Sequence, residues 1–253
     1  MAVAVITGAS SGLGREYISA VIEQFPFIDE FWLISRRKDI LKEIADEHQN
    51  KIIAGISLDL TDTKSFEIFE KLLRENEPEI KVLINCAGFG QVVSFFSSDK
   101  KTQSDVVDLN CRAVTNLTRL CLPYMIDDSL VINVSSIASF APLPRMTVYS
   151  ATKAYVLAFS KALREELRPR GINVLAACPG VMETNFYDIA YAPEGPSKFL
   201  DSLPKILPAD FAESSLKAGK RKKAFYTKGL FYKTYHVLAK IIPHNLLMRF
   251  FEL

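Results

Sequence analysis

Residues Thr7-Gly8-Ala9-Ser10-Ser11-Gly12-Leu13-Gly14 follow the apolar run Val3-Ala4-Val5-Ile6 and lead directly into a helical pattern over Tyr17 to Phe25. A strand that turns through closely spaced glycines into a helix is where a doubly wound sheet holds the pyrophosphate of a dinucleotide. Gly8 permits a turn that a Cβ would obstruct, Gly12 lets the backbone approach phosphates, and Gly14 lets the helix sit close to the sheet. Ser10 and Ser11 add hydroxyl donors, and the helix start adds partial positive charge. The spacing is G-x-x-x-G-x-G, not the general G-x-G-x-x-G. The alternative is a glycine-rich turn without a ligand.

The rest of the chain fits that beginning. Phe31–Ile34, Ile52–Leu58, Val82–Ile84, Leu130–Val134 and Val174–Ala177 are short apolar runs bounded by turns, too continuous for half-exposed strands. Between them Ile40–Glu47, Ser65–Asn76, Val106–Met125 and Tyr149–Arg168 repeat at helical spacing. Strands alternating with helices predict a three-layer α/β fold, a doubly wound parallel sheet with helices on both faces. No linker or repeat divides the 253 residues, so one domain is expected: a core over 1–180, a lid over 181–208 and a helical appendage over 209–253. With 49% apolar and 24% charged residues, disorder is excluded, and a net charge of +2 gives no reason to expect nucleic acid. Cys86, Cys111, Cys121 and Cys178 sit among apolar neighbours and form no C-x-x-C pair, so they read as reduced core residues, with disulfides as the alternative. Met1-Ala2-Val3 lacks a basic n-region and no apolar run approaches the ~20 residues of a membrane span, so a cytoplasmic protein is expected. His48, His236 and His244 are too scattered for a metal site.

The second strand ends at Ser35-Arg36-Arg37, where an acid would bond a ribose 2′-hydroxyl. No acid stands there. Arg36 and Arg37 offer a fork and a stacking plane for a 2′-phosphate, which favours NADP(H), with NAD(H) as the alternative and a solvated basic turn as the plain reading. Arg36 is expected to contribute more than Arg37 if the Arg37 side chain points to solvent. Farther on, Tyr149 and Lys153 stand at i and i+4 on one helix face. An ammonium beside a phenol favours phenolate, so Lys153 is expected to lower the Tyr149 pKa and fit it for proton exchange with a carbonyl oxygen. Ser136, thirteen residues upstream at the end of a strand, can hold the same oxygen, or simply cap a turn.

These pieces together resemble the short-chain dehydrogenase/reductase family in its compact single-domain form. The resemblance rests on residues 7–14, Asp59-Leu60, Asn85-Cys86-Ala87-Gly88, Asn110, Ser136, Tyr149, Lys153, and Pro179-Gly180 with Thr184, in the family's order over positions 3–185. It implies a mostly seven-stranded Rossmann-like sheet and oxidoreduction of a carbonyl and an alcohol. Tyr149 resembles the general acid/base, and Lys153 its partner, which also bonds the nicotinamide ribose. Ser136 rather than Ser135 resembles the substrate orienter, and Asn110 the asparagine of a proton relay. Asp59 and Leu60 resemble adenine contacts, and Asn85, Ala87 and Gly88 the loop beside the adenosine ribose. Pro179, Gly180, Val181 and Thr184 resemble the cover over the nicotinamide. A homodimer or homotetramer paired through Val106–Met125 and Tyr149–Arg168 is also implied. Cys86 departs from a second asparagine, which suggests a missing hydrogen bond in the central strand, and Ser11 departs from the basic residue of many NADP-preferring members.

Phe186, Tyr187, Tyr191, Phe199 and Leu203, interrupted by Pro193, Pro196 and Pro204, suit a lid over an apolar ketone, such as a 3-oxoacyl chain or a steroid-like ring, or else pack on the core. Residues 209–253 hold 9 Lys/Arg and 3 Asp/Glu, with the basic run 220–223 followed by Phe231, Tyr232, Tyr235, Leu238, Ile242, Leu246, Leu247, Phe250 and Phe251. A helical hairpin beside the cleft is expected there, ahead of peripheral membrane contact through 220–253. The competing function is a non-catalytic nucleotide-binding regulator or a membrane-surface protein on the same fold. Such regulators typically lose the Tyr or Lys that is kept here.

Overall fold

A computed structural model describes residues 1–184, 186–191, 195 and 197–250, with only the backbone described for Tyr187, Asp188, Ile189 and Phe250. Of the lid and tail residues named above, the Tyr187 and Phe250 side chains and Pro193, Pro196 and Phe251 therefore lie outside the described part.

The alternation read from the sequence becomes β1 (Ala2–Thr7), α1 (Gly12–Gln24), β2 (Glu30–Ser35), α2 (Lys38–Glu47), β3 (Ile52–Ser57), α3 (Lys64–Asn76) and β4 (Glu79–Asn85). Then come α4 (Lys100–Val107), α5 (Val114–Cys121), β5 (Met125–Val134), α6 (Thr147–Leu167) and β6 (Asn173–Ala177). The sheet is parallel, in the order β3-β2-β1-β4-β5-β6-β7, the last strand being Phe225–Tyr226. Strand order reverses between β1 and β4, so loops at their carboxyl ends diverge and leave a crevice.

Alternate side chains of each strand enter opposite cores. Ala4, Ile6, Ile84 and Ile132 pack under α1 with Tyr17 and Phe211, while Val3, Val5, Leu83 and Val131 pack on the other face with Phe69, Leu117 and Leu163. That double burial is why the strands read as unbroken apolar runs. The exception is β3, an edge strand whose Ile52 is exposed.

Two elements differ from the expected ones. Val106–Met125 is not one helix: a π-helical segment, Asp108–Ala113, separates α4 from α5, and a short 3₁₀ turn containing Pro123 ends the run before β5. The wider turn brings Asn110 into full burial. The tail over 209–253 is also not wholly helical. After α7 (Phe186–Tyr191) and α8 (Lys198–Ser202), α9 (Pro208–Lys220) packs on α1, and Phe225–Tyr226 then adds β7 to the sheet. α10 (Leu230–Ile241) and α11 (His244–Leu247) follow. The Tyr17 hydroxyl lies 2.7 Å from Ser215 Oγ inside the α1–α9 contact. α9 and β7 thus pack into the core and the sheet. The four cysteines are free thiols. No helix among the described residues is long and apolar enough to cross a membrane.

Candidate active site

The carboxyl ends of β1, β4, β5 and β6 open into a cavity of about 240 Å³. Its rim is the glycine loop. Gly8 has φ +68°, and a Cβ there would come within 3.0 Å of the Ala87 backbone. A Cβ on Gly14 would lie 2.1 Å from the Gly8 carbonyl oxygen. Thr7 Oγ1 locks the loop to the end of β4 by accepting the Cys86 and Ala87 N–H groups, both at 3.0 Å. The first-turn N–H groups at Gly12, Leu13 and Gly14 have no carbonyl four residues back within α1. A glycine-lined cradle at a helix N-terminus fits a dinucleotide pyrophosphate, and a side chain at Gly8 or Gly14 would clash with the backbone that shapes it.

Gly8, Ser11, Gly12, Leu13 and Gly14 line the cavity, as do Ala87 and Gly88. So do Ser136, Tyr149 and Lys153, and Pro179, Gly180, Val181 and Thr184. Ser10, Arg36, Arg37, Asp59, Leu60, Asn85 and Asn110 do not line it. Arg37 turns onto the glycine loop: Nη2 donates to Ser10 O at 2.9 Å and to Ser10 Oγ at 3.0 Å, and Nε to Ser10 Oγ at 3.2 Å. Arg36 is exposed, and its charge acts on Asp59. Arg37, itself exposed, is thus the arginine bonded to the glycine loop. Burial alone would raise the Asp59 carboxyl, but the Thr61 amide and hydroxyl bonds outweigh it and hold the group below its ordinary value. Leu60 is buried in the core beside it.

Asn85 is not a wall of the crevice. Strand pleating turns it into the sheet, where Nδ2 donates to Asn133 Oδ1 at 2.8 Å and to Thr118 Oγ1 at 3.0 Å. Cys86 occupies the cavity wall instead.

α6 carries the phenol and the ammonium. Tyr149 lies in its first turn and is hydrogen-bonded to the Ser136 hydroxyl. Lys153, one turn on, places Nζ 5.7 Å from the Tyr149 ring centroid and donates to Val134 O at 2.9 Å. Ser135 faces away and donates to Lys153 O at 2.7 Å. Asn110 donates to Phe89 O at 2.9 Å and Thr152 Oγ1 at 3.0 Å, and accepts the Phe89 N–H at 3.1 Å. A Cβ on Gly88 would meet both Asn110 Oδ1, at 2.9 Å, and Lys153 Nζ, at 3.2 Å. The electrostatics differ from the expectation. Burial pushes the Tyr149 phenol up to about 12, only partly offset by the Ser136 bond, and pulls the Lys153 ammonium down to about 8. Desolvation is the largest cause at both groups.

Gly90, Leu143, Met146 and Leu200 carried no readable signal, whereas Phe186, Tyr191, Phe199 and Leu203 fall in the aromatic stretch already read beside the cleft. Gly90 packs under Tyr149: a Cβ there would lie 2.3 Å from Tyr149 Cδ2. Leu143, Met146, Phe186 and Leu200 form an apolar wall with Ala138, the Phe186 ring centroid 5.5 Å from that of Tyr149. The lid is anchored by a bridge between Met182 and Ile206 and by the Val92 N–H bond to Ala190 O at 2.8 Å. Tyr191, Phe199 and Leu203 pack partly buried on this apolar cluster. Tyr232 of α10 packs its ring on Gly180, and its hydroxyl accepts the Val181 N–H at 3.1 Å and donates to Pro204 O at 2.5 Å. Only a periodic or spaced motif can be read locally, and these contacts are neither.

Comparison with known proteins agrees with this geometry. A family model described as short chain dehydrogenase matches residues 2–192. The very-long-chain 3-oxoacyl-CoA reductase of Rattus norvegicus is 31% identical over 193 residues, 74% of this chain and 61% of that protein. The chain therefore spans about three fifths of that relative's length. A short-chain dehydrogenase from Sphingobium yanoikuyae, solved in complex with NADPH, superposes with a TM-score of 0.79 at 26% identity, covering 98% of this chain and 96% of that one. A bulky-bulky ketone specific alcohol dehydrogenase from Comamonas testosteroni gives 0.74 at 27% identity, covering 98% and 94%.

Proposed function

The chain belongs to the short-chain dehydrogenase/reductase family and is an NAD(P)-dependent oxidoreductase, and from that premise we propose that it interconverts an apolar ketone and its secondary alcohol with NADP(H). The observation that carries the reading is the meeting of Ser136, Tyr149 and Lys153 in a cavity whose rim is the glycine cradle and whose opposite wall is apolar. When bound, the nicotinamide supplies or takes up the hydride. Gly8, Gly12, Leu13 and Gly14 would hold the pyrophosphate, and Arg37, fixed on Ser10, would offer a charged donor to a 2′-phosphate. Ser136 holds the substrate oxygen beside the phenol. Tyr149 gives that oxygen its proton in reduction and removes it in oxidation. Lys153 bonds the ribose and stabilises phenolate when charged, and Asn110 holds the loop at Phe89 in place beside it.

Leu143, Met146, Phe186 and Leu200 leave little to recognise but hydrocarbon, which supports a long 3-oxoacyl chain or a fused ring as the ketone's substituent. The names of the rat and Comamonas relatives support the same class. A homo-oligomer paired through α5 and α6 belongs to this reading, and Tyr155 is exposed on that face.

A panel of ketones and alcohols graded in chain length and ring size, followed by cofactor absorbance with NADPH and with NADH, tests the proposal. Turnover should rise with apolar size and favour NADPH. Tyr149→Phe should lower kcat by about 10²–10⁴-fold while NADPH affinity survives. Near-native turnover in that variant would remove the assigned proton donor.

A further inference from the structure

α10 has two unlike faces. Tyr232 and Ala239 are buried, with Tyr235 and His236 half-buried beside them. The ring of Tyr235 lies 5.6 Å from Phe140, and that of His236 4.4 Å from Phe225. The opposite side carries Leu230, Phe231, Val237, Leu238 and Ile241, which fall within one arc of the helix at 3.6 residues per turn. They are 81, 50, 54, 43 and 73% exposed, in that order. Isolated exposed leucines need no explanation, but an apolar stripe along a helix, interrupted only by Thr234, does.

Charge indicates what covers it. Lys233 and Lys240 project together along one margin of the stripe, and both are exposed. No Asp or Glu occurs between residues 214 and 251. Lys161 of α6 approaches the same margin closely enough that, after burial, its charge and that of Lys240 help hold His236 below its ordinary value. A second copy docked antiparallel on this stripe, about a two-fold axis perpendicular to the helix, would bring the lysine margins together, and a parallel copy would set each lysine margin beside Phe231 and Leu238; in neither does the helix offer an acid to meet the lysines. An anionic bilayer meets both features at once. Its acyl boundary takes the apolar side chains, and its headgroups take the lysines.

We propose that α10 is a membrane-surface anchor: Leu230, Phe231, Val237, Leu238 and Ile241 insert at the headgroup boundary of an anionic lipid bilayer, with Lys233 and Lys240 on its phosphates. The helix lies in the plane of the interface and does not cross it. Its inner face touches the substrate crevice through Tyr232 on Gly180, so the anchor holds the crevice wall about one helix diameter from the lipid. An apolar substrate dissolved in the bilayer would then be close to the site. The anchoring itself does not depend on the proposed reaction.

Co-sedimentation with phosphatidylcholine vesicles, with and without phosphatidylserine, tests this directly. The full chain should pellet with the phosphatidylserine vesicles, and pelleting should weaken as salt rises. Leu230→Ser/Val237→Ser/Ile241→Ser, three outward-facing changes, should lower the partition coefficient by more than about tenfold without lowering the thermal midpoint. Lys233→Glu/Lys240→Glu should abolish the preference for anionic vesicles. Failure of the wild-type chain to bind phosphatidylserine vesicles, or equal binding by the triple variant, overturns the anchor. So does sedimentation equilibrium in which the triple change splits a wild-type dimer, because the stripe would then be covered by a second copy.

Discussion

Arg37 reaches Ser10 through three hydrogen bonds, so its guanidinium is already held at the glycine loop, with its side-chain entropy largely spent. A charge-assisted bond from such a group contributes about 1.5–3 kcal/mol, roughly ten- to more than a hundredfold in affinity. Arg37→Ala should therefore weaken NADPH by that factor relative to NADH, and high salt should narrow the gap. Arg36→Ala, whose charge acts on Asp59 rather than on the glycine loop, should change the ratio much less. Titrating both nucleotides against both variants at two salt concentrations decides it, and equal losses for NADH and NADPH in Arg37→Ala would reduce that arginine to a brace for the loop. Gly90 makes a different kind of demand. Its missing Cβ is the space that Tyr149 occupies, with Cδ2, Cγ and Cβ of the tyrosine at 2.3, 2.7 and 3.0 Å from where a methyl would sit. Gly90→Ala should displace the phenol from Ser136 and lower kcat by at least about tenfold, because small misplacements of a reacting group are expensive. Nucleotide affinity should change less, since Gly90 does not itself line the cavity; stopped-flow binding beside steady-state turnover separates the two.

Elements hold these residues through contacts that span the chain. α6 sets Tyr149 and Lys153 by helical spacing alone, but the loop opposite them depends on α10, which enters the chain some fifty residues later. The Tyr232 hydroxyl joins Val181, on the crevice wall, to Pro204 at the end of the lid. Tyr232→Phe keeps the ring on Gly180 and removes only that junction, leaving the Val181 N–H buried without its partner. About 1–3 kcal/mol of stability should go with it. NADPH affinity should fall severalfold, while kcat at saturation stays near that of the parent. Thermal unfolding and nucleotide titration read the two effects, and a variant unchanged in both would leave α10 with no influence on the crevice. The junction was not legible beforehand: a tyrosine in a helical tail has the same local pattern whether it is buried against a glycine or free in water.

At the scale of the whole molecule, the site is held at the expense of stability. Lys153 is buried with its pKa pulled from the ordinary 10.5 to about 8. Below pH 8 the group is charged in both folded and unfolded chains, and the full cost of burying the ammonium is present. As pH rises from about 8 toward 10.5, the unfolded chain keeps a proton that the folded chain has released, so stability increases. Lys153→Met should therefore be inactive yet more stable than the parent at neutral pH, by about 1–3 kcal/mol, with the advantage shrinking above pH 8. Denaturant unfolding of both proteins across that range checks the sign, and an advantage that does not shrink would locate the gain in packing. The sequence by itself determined the layered α/β fold, the glycine cradle and the pairing of Tyr149 with Lys153. Each of these is a local property, a period or a short spacing that a few neighbouring residues enforce. Tertiary structure alone decided that Arg37 rather than Arg36 meets the loop, that Asn85 turns into the sheet while Cys86 faces the crevice, and that Gly90 and Tyr232 support the site. It also decided that residues 225–226 form a seventh strand, because pairing with β6 supplies hydrogen bonds that two residues cannot provide for themselves. Pleat, register and close packing join positions far apart in the chain, and no local pattern encodes which distant partner arrives.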